Sequence, residues 1–334
     1  MRAAPPRVSV IIPTRNRWAL LRRTLETVCA QQGVRFEVIV VDDASDQVGC
    51  AELPLDDPRF RLLRHASVHG VAHARNTGIE AAAGEWLAFL DDDDLWAPEK
   101  LSRQLTAAVA AEATCVCCGA ARFESGATAV EVFRPPDARR LARELLHRNV
   151  IPAGSSNMLV LAEAVRAAGG FDEQLAQVAD WDLWIRLVHE GRPATVPDCL
   201  VGYRIHGGNM AVHHNRPIFA ELDRLAEKHR ELAARYGVAP DRVRSTRWAA
   251  GSLSRAGRRL AAARVYLRGA VHYRDAGSAL RAVAALFGDA LKQRAGRLAG
   301  RSGAERGRGD VPRAGECSWL EGLLRAEVEG ATER

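Results

Sequence analysis

The chain has 334 residues, of which 47% are apolar and 26% charged, a composition that suits a soluble globular protein with one large α/β domain plus extra elements, or with two domains. No long apolar run suggests a membrane-spanning helix, and residues 1–6 lead directly into a strand pattern, so no signal peptide is expected. The seven cysteines lack the paired spacing of a zinc site, which predicts buried, reduced thiols and a cytoplasmic protein.

Positive charge is concentrated in the C-terminal third of the chain. The net charge is +6, and the segment from Gly251 to Glu316 alone carries 14 Arg and Lys against 5 Asp and Glu. Such a segment suits peripheral contact with an anionic membrane, here the inner face of the cell membrane. It lacks the interleaved aromatic residues of a nucleic-acid-binding region, so no nucleic-acid partner is expected.

The first 90 residues alternate short apolar runs, which predict strands, with apolar residues at helical spacing. The strands are expected at 8–12, 36–41, 60–63 and 85–90, and the helices at 18–31 and 70–83. Nearly continuous apolar strands separated by helices predict a mostly parallel sheet with helices on both faces.

Three polar motifs follow strands of this predicted sheet: Thr14-Arg15-Asn16, Asp42-Asp43 and Asp91-Asp92-Asp93-Asp94. Ligands of open parallel sheets bind beyond the carboxyl ends of the strands, so the three motifs are expected to share one crevice. No glycine-rich phosphate loop follows any of these strands. A nucleotide bound in the crevice would therefore need a metal ion to neutralise its diphosphate.

The four consecutive aspartates, called the acidic quartet below, are the strongest single signal. Their carboxylates repel one another at the exit of a buried strand, Trp86 to Leu90. Carboxylates are hard ligands that suit Mg²⁺ or Mn²⁺, and Mg²⁺ commonly takes one or two of them together with water and phosphate oxygens. A solvated acidic loop is the alternative explanation.

The remainder of the chain is less regular and then becomes helical. A strand is expected near 129–133, a helix at 137–147, a strand at 157–161, a helix at 180–190, and two short strands ending at His206. Helical patterns continue from 215 to 297, a Gly- and Arg-rich stretch follows, and a short terminal helix is expected at 318–329. The predicted domains are 1–214, divided into a nucleotide-binding half (1–120) and an acceptor-binding half (121–214), a helical region (215–299) and a flexible basic tail (300–334).

Three further residues invite a functional interpretation beside a structural one. Asp43 could contact a base or ribose, or it could be a helix cap. Asp180 and Asp182 could complement a helix dipole, or Asp180 could act as a general base with a pKa raised by burial beside tryptophans. His206, followed by two glycines, could be structural or could belong to a loop that closes over a phosphate.

Seven blocks of the sequence resemble the family 2 glycosyltransferases in order and spacing over about Val8 to Asn209. They are Val8-Ser9-Val10-Ile11-Ile12-Pro13-Thr14-Arg15-Asn16-Arg17, Val40-Val41-Asp42-Asp43-Ala44-Ser45-Asp46, Ala74-Arg75-Asn76-Thr77-Gly78, Phe89-Leu90-Asp91-Asp92-Asp93-Asp94-Leu95-Trp96-Ala97-Pro98-Glu99-Lys100-Leu101, Gly169-Gly170-Phe171-Asp172-Glu173, Asp180-Trp181-Asp182-Leu183-Trp184-Ile185-Arg186-Leu187 and Tyr203-Arg204-Ile205-His206-Gly207-Gly208-Asn209.

The resemblance implies an α/β protein of the GT-A fold, with a Rossmann-like nucleotide-binding half. It also implies a nucleoside-diphosphate sugar donor, a divalent metal (Mg²⁺ or Mn²⁺) and inversion at the anomeric carbon. The acceptor hydroxyl could belong to a polysaccharide, a lipid-linked glycan or a natural product. A nucleotidyltransferase and a non-catalytic basic protein that binds nucleic acid or membrane remain alternatives.

Individual residues follow from the same resemblance. Asp91 and Asp93 match the outer carboxylates of a metal-binding triplet, and His206 is a further candidate metal ligand. The residues expected beside the nucleotide sugar are Pro13, Arg15, Asp43, Arg75 and Asp92. Asp180 matches the catalytic base, although Ala179 stands where many members carry a second acidic residue.

Overall fold

Four parallel strands form the first half of a sheet, in the order β3-β2-β1-β4. The computed structural model describes residues 6–47, 53, 56–124, 131–206, 218–255, 257–287 and 315–332. The four strands are β1 (Val8–Thr14), β2 (Phe36–Asp42), β3 (Phe60–Arg64) and β4 (Trp86–Phe89). The apolar side chains of β1, β2 and β4 are buried, and those of the edge strand β3 are buried or half-buried. Thr14 pairs in register with Asp42 at the carboxyl ends of β1 and β2. The predicted parallel half is confirmed.

Helices cover this half of the sheet. They are α1 (Trp18–Cys29) and α2 (Val71–Ala81), whereas α3 (Lys100–Ala111) packs mainly on the other half of the sheet. Gly78 in α2 allows the helix to approach β1 closely, since a Cβ on Gly78 would lie 2.4 Å from Ile11 Cγ2. An internal glycine destabilises a helix, and here the close packing of α2 on β1, the strand that leads to the crevice, compensates for that loss.

The second half of the sheet is mixed. Among the described residues the full order is β3-β2-β1-β4-β8-β6-β9-β5, with β7 beside β6. The added strands are β5 (Leu95–Trp96), β6 (Cys115–Glu124), β7 (Glu131–Phe133), β8 (Leu159–Leu161) and β9 (Pro193–Ile205). The two short strands predicted before His206 are in fact one strand, β9. Its register against β6 shifts on either side of Gly119, because β9 has extra residues there: Pro197 and Asp198 before Cys199, and Leu200 after it.

Short helical elements complete this part of the chain. They are α4 (Ala138–His147), a 3₁₀ turn (Gly154–Asn157), α5 (Ala162–Ala167) and α6 (Ala179–Glu190). The strand predicted from 157 begins only at Leu159, because the residues before it form the turn. Buried side chains hold that turn: Trp96 Nε1 donates to Ser156 O, and Gln104 Nε2 donates to Asn157 O, both at 2.8 Å.

The chain divides into two compact units. The first contains Met1–Leu145, Val150–Ile205 and Gly309–Arg334, and the second contains Leu146–Asn149 and His206–Arg308. The first unit includes the predicted terminal helix, observed as α12 (Ser318–Thr332). The prediction of a flexible tail is wrong for this end, because Cys317, Leu320 and Leu324 are buried against Leu95 and Phe123. The helical spacing of these three residues gives the segment an apolar face. Residues 300–314 of the predicted tail lie outside the described residues.

The second unit is helical in its described part, as predicted. Its helices are α7 (Ile218–Lys228), α8 (Arg230–Arg235), α9 (Arg242–Arg255), α10 (Arg259–His272) and α11 (Ala276–Phe287). Leu253, Ala262, Ala263 and Ala285 form an apolar cluster within this unit. Among the described residues, no helix combines the length and the apolar character needed to cross a membrane.

Candidate active site

The carboxyl ends of β1 and β4 meet at the acidic quartet. The Thr14 hydroxyl donates to Asp92 Oδ2 at 2.7 Å. Arg17, at the start of α1, places Nη1 3.1 Å from Asp92 Oδ1 and 3.0 Å from Asp93 Oδ2. The prediction that these strand ends lie together therefore holds for the first and third polar motifs, and the second adjoins the first, since the Asp43 N–H donates to Thr14 O at 2.9 Å.

The outer members of the quartet have different surroundings. Asp91 pairs with Arg75 at 2.5 Å and retains 28% of its side-chain exposure. Asp94 is fully buried, where it accepts a hydrogen bond from Ser156 Oγ at 2.5 Å and another from the backbone N–H of Arg204 at 3.1 Å. Asp94 is thus committed to the scaffold, and Asp91, Asp92 and Asp93 remain as the functional candidates.

Burial and mutual repulsion oppose the ionisation of two carboxylates of the quartet. Burial and the neighbouring charge of Asp93 raise the pKa of Asp92 to about 7, although Arg17 and Thr14 act in the opposite direction. Burial, Asp93 and Asp91 together raise the pKa of Asp94 well above its usual range. Both shifts disfavour the ionised carboxylates, so an additional cation would be accommodated favourably here.

The donor chemistry of the quartet fits a hard divalent cation. Within the part of the chain that the structure describes, however, no group of three or more His, Cys, Asp or Glu side chains is arranged around a single point. Mg²⁺ needs only one or two protein carboxylates when phosphates and water complete its shell. The residues therefore fit a metal that binds together with a phosphate ligand, and Arg17 already bridges one candidate ligand, Asp93, and its neighbour Asp92.

Asp43, at the end of β2, holds the loop that leads into α2. Its carboxylate accepts hydrogen bonds from the backbone N–H groups of His69 and Gly70, at 2.9 and 2.8 Å, and lies 2.9 Å from His65 Nδ1. Burial would raise the pKa of Asp43, but these hydrogen bonds bring it below its usual value. Asp43 therefore has a structural role close to the capping interpretation, since it binds the backbone N–H groups just before α2. Its contact with a nucleobase stays a prediction.

The other residues predicted to lie beside the nucleotide differ in exposure. Pro13 is buried within β1, and Arg15 is exposed directly after that strand. Arg75 is buried, with its guanidinium carbon 5.2 Å from the centre of the Phe171 ring. Nucleotide contact by these residues stays a prediction, and Arg75 is the one whose side chain is already engaged within the protein, by Asp91.

Asp180 lies in the first turn of α6 and contacts the 3₁₀ turn. Its Oδ1 accepts the backbone N–H of Trp181 at 2.7 Å, and its Oδ2 lies 2.8 Å from the position that a Cβ on Gly154 would occupy. Burial raises the pKa of Asp180 to about 6, with Arg75 lowering it and Asp91 raising it. The same turn that binds Asp94 through Ser156 therefore also adjoins Asp180.

Asp182, two residues further on, has a different environment. It is fully buried and forms an ion pair with Arg186 at 2.7 Å, one turn along the same helix. Arg186 also donates to the carbonyl oxygens of Ala168 and Gly170. Asp182 is therefore a structural partner, and Asp180 is the carboxylate of this pair that is available for chemistry.

His206 directly follows the last residue of β9 and is half-buried. Its predicted role as a metal ligand stays a prediction, and the glycines of the predicted loop after it lie outside the described residues. Two residues earlier, in β9, Arg204 contacts the quartet directly, because its Nε donates to the carbonyl oxygen of Asp93 at 3.3 Å.

Sequence analysis missed three residues that hold the site together, Arg17, Ser156 and Arg204, whereas it had already placed Thr14 in the crevice. Arg17 and Arg204 lie within the first and last blocks of the resemblance, so their positions were an available signal. Ser156 carried no such signal, because it reaches Asp94 from a turn 62 residues away.

Known proteins share this sequence pattern and architecture. Residues 9–166 match the model of the family described as Glycosyl transferase family 2. The chain is 28% identical over 236 residues to the "Putative colanic acid biosynthesis glycosyl transferase WcaA" of Escherichia coli, an alignment that covers 68% of this chain and 82% of that protein.

A second relative and a solved structure also resemble the chain, in sequence and in fold respectively. Over 100 residues the chain is 36% identical to the "UDP-Glc:alpha-D-GlcNAc-diphosphoundecaprenol beta-1,3-glucosyltransferase WfgD" of Escherichia coli, covering 30% of this chain and 40% of that protein. It superposes with a TM-score of 0.52 and 23% identity on the mannosyltransferase PcManGT from Pyrobaculum calidifontis, solved with GDP-Man and Mn²⁺, covering 89% of this chain and 81% of that one. Through residues 9–166 the chain belongs to the family 2 glycosyltransferases, and it is a glycosyltransferase of the GT-A fold.

Proposed function

We propose that the protein is an inverting glycosyltransferase that moves a sugar from a nucleoside-diphosphate sugar to an acceptor hydroxyl, with Asp180 as the general base. The observation that carries this proposal is the environment of Asp180. A carboxyl group with a pKa of about 6 is ionised at neutral pH and is a stronger base than an exposed aspartate. The family match supports this reading over the nucleotidyltransferase and non-catalytic alternatives.

The residues around Asp180 prepare it for proton transfer. The Trp181 N–H fixes Oδ1, and Gly154 leaves space beside Oδ2. Oδ2 would accept the proton of the acceptor hydroxyl while the hydroxyl oxygen forms its bond to the anomeric carbon and the bond to the diphosphate breaks. This is one displacement with inversion and no covalent sugar–enzyme intermediate. The nearby positive charge of Arg75 keeps the carboxylate ionised until the transfer.

The quartet would hold Mg²⁺ or Mn²⁺ through Asp91 and Asp93. Such an ion, when bound, supplies Lewis-acid stabilisation of charge on the leaving diphosphate. The raised pKa of Asp92, caused first by burial and then by the charge of Asp93, supports this assignment, since a bound cation would offset both effects. The Mn²⁺ in the structure of PcManGT adds support from a protein of the same fold.

The relatives suggest the classes of donor and acceptor. WfgD is named for UDP-Glc as donor and a diphosphoundecaprenol-linked acceptor, and PcManGT was solved with GDP-Man. WcaA is named for colanic acid biosynthesis. We infer that the acceptor of this protein is a growing glycan of the cell envelope, carried on a lipid or as free polysaccharide. A UDP- or GDP-sugar is the first donor to test.

Helix α10 supports peripheral contact with an anionic membrane. Leu260, Leu267 and Val271 are more than half exposed and lie on one face of the helix, because they are spaced by seven and four residues. Arg264 and Arg268, both exposed, border that face. An apolar stripe beside arginines matches the interfacial zone of an anionic bilayer, where a lipid-linked acceptor would be found.

Vesicle sedimentation tests this contact. Leu267→Asp should reduce binding to vesicles that contain phosphatidylglycerol, because a carboxylate would enter the apolar stripe. Val109→Asp is the matched control, since Val109 is an equally exposed apolar residue on α3. Equal binding of both variants and the parent would contradict the assignment.

A donor screen tests the catalytic proposal. Purified protein is incubated with UDP- and GDP-sugars and Mn²⁺, and release of the nucleoside diphosphate is measured with and without glycan acceptors. Turnover that disappears in Asp180→Asn and in excess chelator is the expected result. Full turnover in chelator would overturn the metal assignment, and full turnover of Asp180→Asn would overturn the assignment of the base.

A further inference from the structure

Two arginines serve as counter-ions of the quartet, and each contacts different carboxylates. Arg17 Nη1 lies between Asp92 Oδ1 and Asp93 Oδ2, at 3.1 and 3.0 Å. Arg75 Nη2 lies 2.5 Å from Asp91 Oδ1. The two candidate metal ligands, Asp91 and Asp93, are therefore each paired with a guanidinium group, and a metal ion would have to share or replace these pairings.

The two arginines are not equally able to leave. The Arg75 side chain is 4% exposed and packs on the Phe171 ring, so breaking its pair with Asp91 would strand a buried charge. The Arg17 side chain is 28% exposed and extends from the first residues of α1 at the edge of the crevice. Its guanidinium could turn into water at a much smaller desolvation cost.

We propose that Arg17 is an exchangeable counter-ion that neutralises Asp92 and Asp93 in the resting enzyme and must release Asp93 before a divalent cation binds there. Arg75 is the permanent counter-ion, and it stays with Asp91. This inference rests on the proposed metal-assisted function and adds a positioning residue to it: Arg17 acts on the metal ligands and does not itself bind the cation.

The physical basis is competition for the same oxygen atoms. A guanidinium and a divalent cation bound at one carboxylate repel each other. The apparent affinity for the metal is therefore the intrinsic affinity multiplied by the fraction of molecules in which Arg17 has released Asp93. A diphosphate gives the released guanidinium another anionic partner. Metal and nucleotide should therefore bind with positive coupling, and each should bind weakly alone.

Calorimetric titration with MnCl₂ in the absence of nucleotide tests the competition directly. Arg17→Met keeps an unbranched side chain but removes the cation, so Mn²⁺ alone should bind at least tenfold more tightly than to the parent. Arg17→Lys should fall between the two, because an ammonium group lacks the planar fork of a guanidinium. Arg22→Met is the matched control on the same helix, since the partner of Arg22 is Glu26.

The same titrations with saturating UDP, and then with GDP, measure the coupling. In the parent, the nucleotide should tighten Mn²⁺ binding strongly, and in Arg17→Met this gain should shrink. In excess chelator Arg17→Met should melt at a lower temperature than the parent, with Mn²⁺ restoring the loss, because its buried carboxylates have lost a cation.

Equal affinity of the parent and Arg17→Met for Mn²⁺ would overturn the exchange, even if sugar transfer proves metal-dependent. If Arg17→Met does not fold in chelator, the same comparison is made with Arg17→Lys, and parent-like affinity there overturns the proposal. Failure of the proposed function has a different signature: no sugar transfer from any donor, whatever the ranking of Mn²⁺ affinities.

Discussion

The carboxylate at the end of β2 and those of Asp92 and Asp180 are all largely removed from water, but their pKa values shift in opposite directions. At the end of β2, Asp43 receives two backbone N–H groups and a histidine nitrogen, and its pKa falls. At the end of β4, burial and the charge of Asp93 raise the pKa of Asp92 to about 7, and beside Gly154–Asn157 burial raises the pKa of Asp180 to about 6. The hydrogen bonds of Asp43 outweigh the effect of burial on its pKa, whereas those that Asp92 receives from Thr14 and Arg17, and that Asp180 receives from Trp181, do not.

This difference separates a structural carboxylate from reactive ones. Hydrogen bonds that stabilise the ionised form favour a fixed negative charge, which suits a loop anchor. Burial without enough donors leaves a group whose charge is costly, which suits proton transfer or cation binding. The predictions below test this contrast, beginning with the change expected to have the largest effect.

Asp180→Asn should lower kcat by about 10² to 10⁴, the usual contribution of a positioned base. The amide keeps the shape of the side chain but does not accept the proton. Donor affinity, measured as the thermal shift caused by UDP or GDP, should stay close to that of the parent. Asp182→Asn is the control, and it should reduce stability through its partner Arg186 with a smaller effect on kcat. The reverse ranking of kcat would place the base at Asp182.

Gly154→Ala should lower kcat by roughly ten- to a hundredfold through displacement of Asp180. The new Cβ would lie 2.8 Å from Asp180 Oδ2, too close for undisturbed geometry. Gly169→Ala is the control for backbone strain, since both glycines have a positive φ but a Cβ at Gly169 meets nothing within 4 Å. If both variants lose the same activity, strain explains the loss and the contact with Asp180 does not.

Turnover should rise with pH through about pH 6, because the base must be ionised and burial sets the pKa of Asp180 near that value. Below pH 6, kcat should fall by about tenfold for each unit of pH. A profile of kcat from pH 4.5 to 8 in the parent measures this limb. In Asp180→Asn the residual activity should lack it, and an unchanged limb in that variant would assign the titration to another group.

The parallel half of the sheet was predictable because its signals are local. Runs such as Val8 to Ile12 are apolar at nearly every position, and a parallel sheet brings their carboxyl ends together. That rule also placed Thr14 beside the quartet. The mixed half was not predictable in detail, because the bulge in β9 and the docking of Cys317 and Leu320 depend on contacts distant in sequence.

The site shows the same division. The type and position of Asp91–Asp94 and of Asp180 were visible in the sequence, since acidic residues at strand and helix ends are local patterns. Their partners were not, because a hydrogen bond such as that from Ser156 to Asp94 depends on the tertiary fold. What the sequence left open was therefore the distribution of charge among the carboxylates, which decides which of them can react.

The smallest effect is expected at Asp43, the satisfied carboxylate. Asp43→Asn replaces one acceptor oxygen with an NH₂ group, which cannot accept a hydrogen bond. At least one of the backbone donors, such as the Gly70 N–H, therefore loses its partner, which should cost about 1–2 kcal/mol of stability at pH 7. The folded-state pKa of Asp43 is lowered, so the stability that its ionised form contributes is present above the unfolded pKa and is lost as pH falls through the folded value. Urea denaturation at pH 7 and near pH 3 should therefore show a difference between parent and variant that shrinks in acid. Glu85→Gln, at an exposed carboxylate, is the control. A thermal shift by UDP or GDP that is equally large in Asp43→Asn would show that this carboxylate anchors its loop and leaves the nucleobase to other residues.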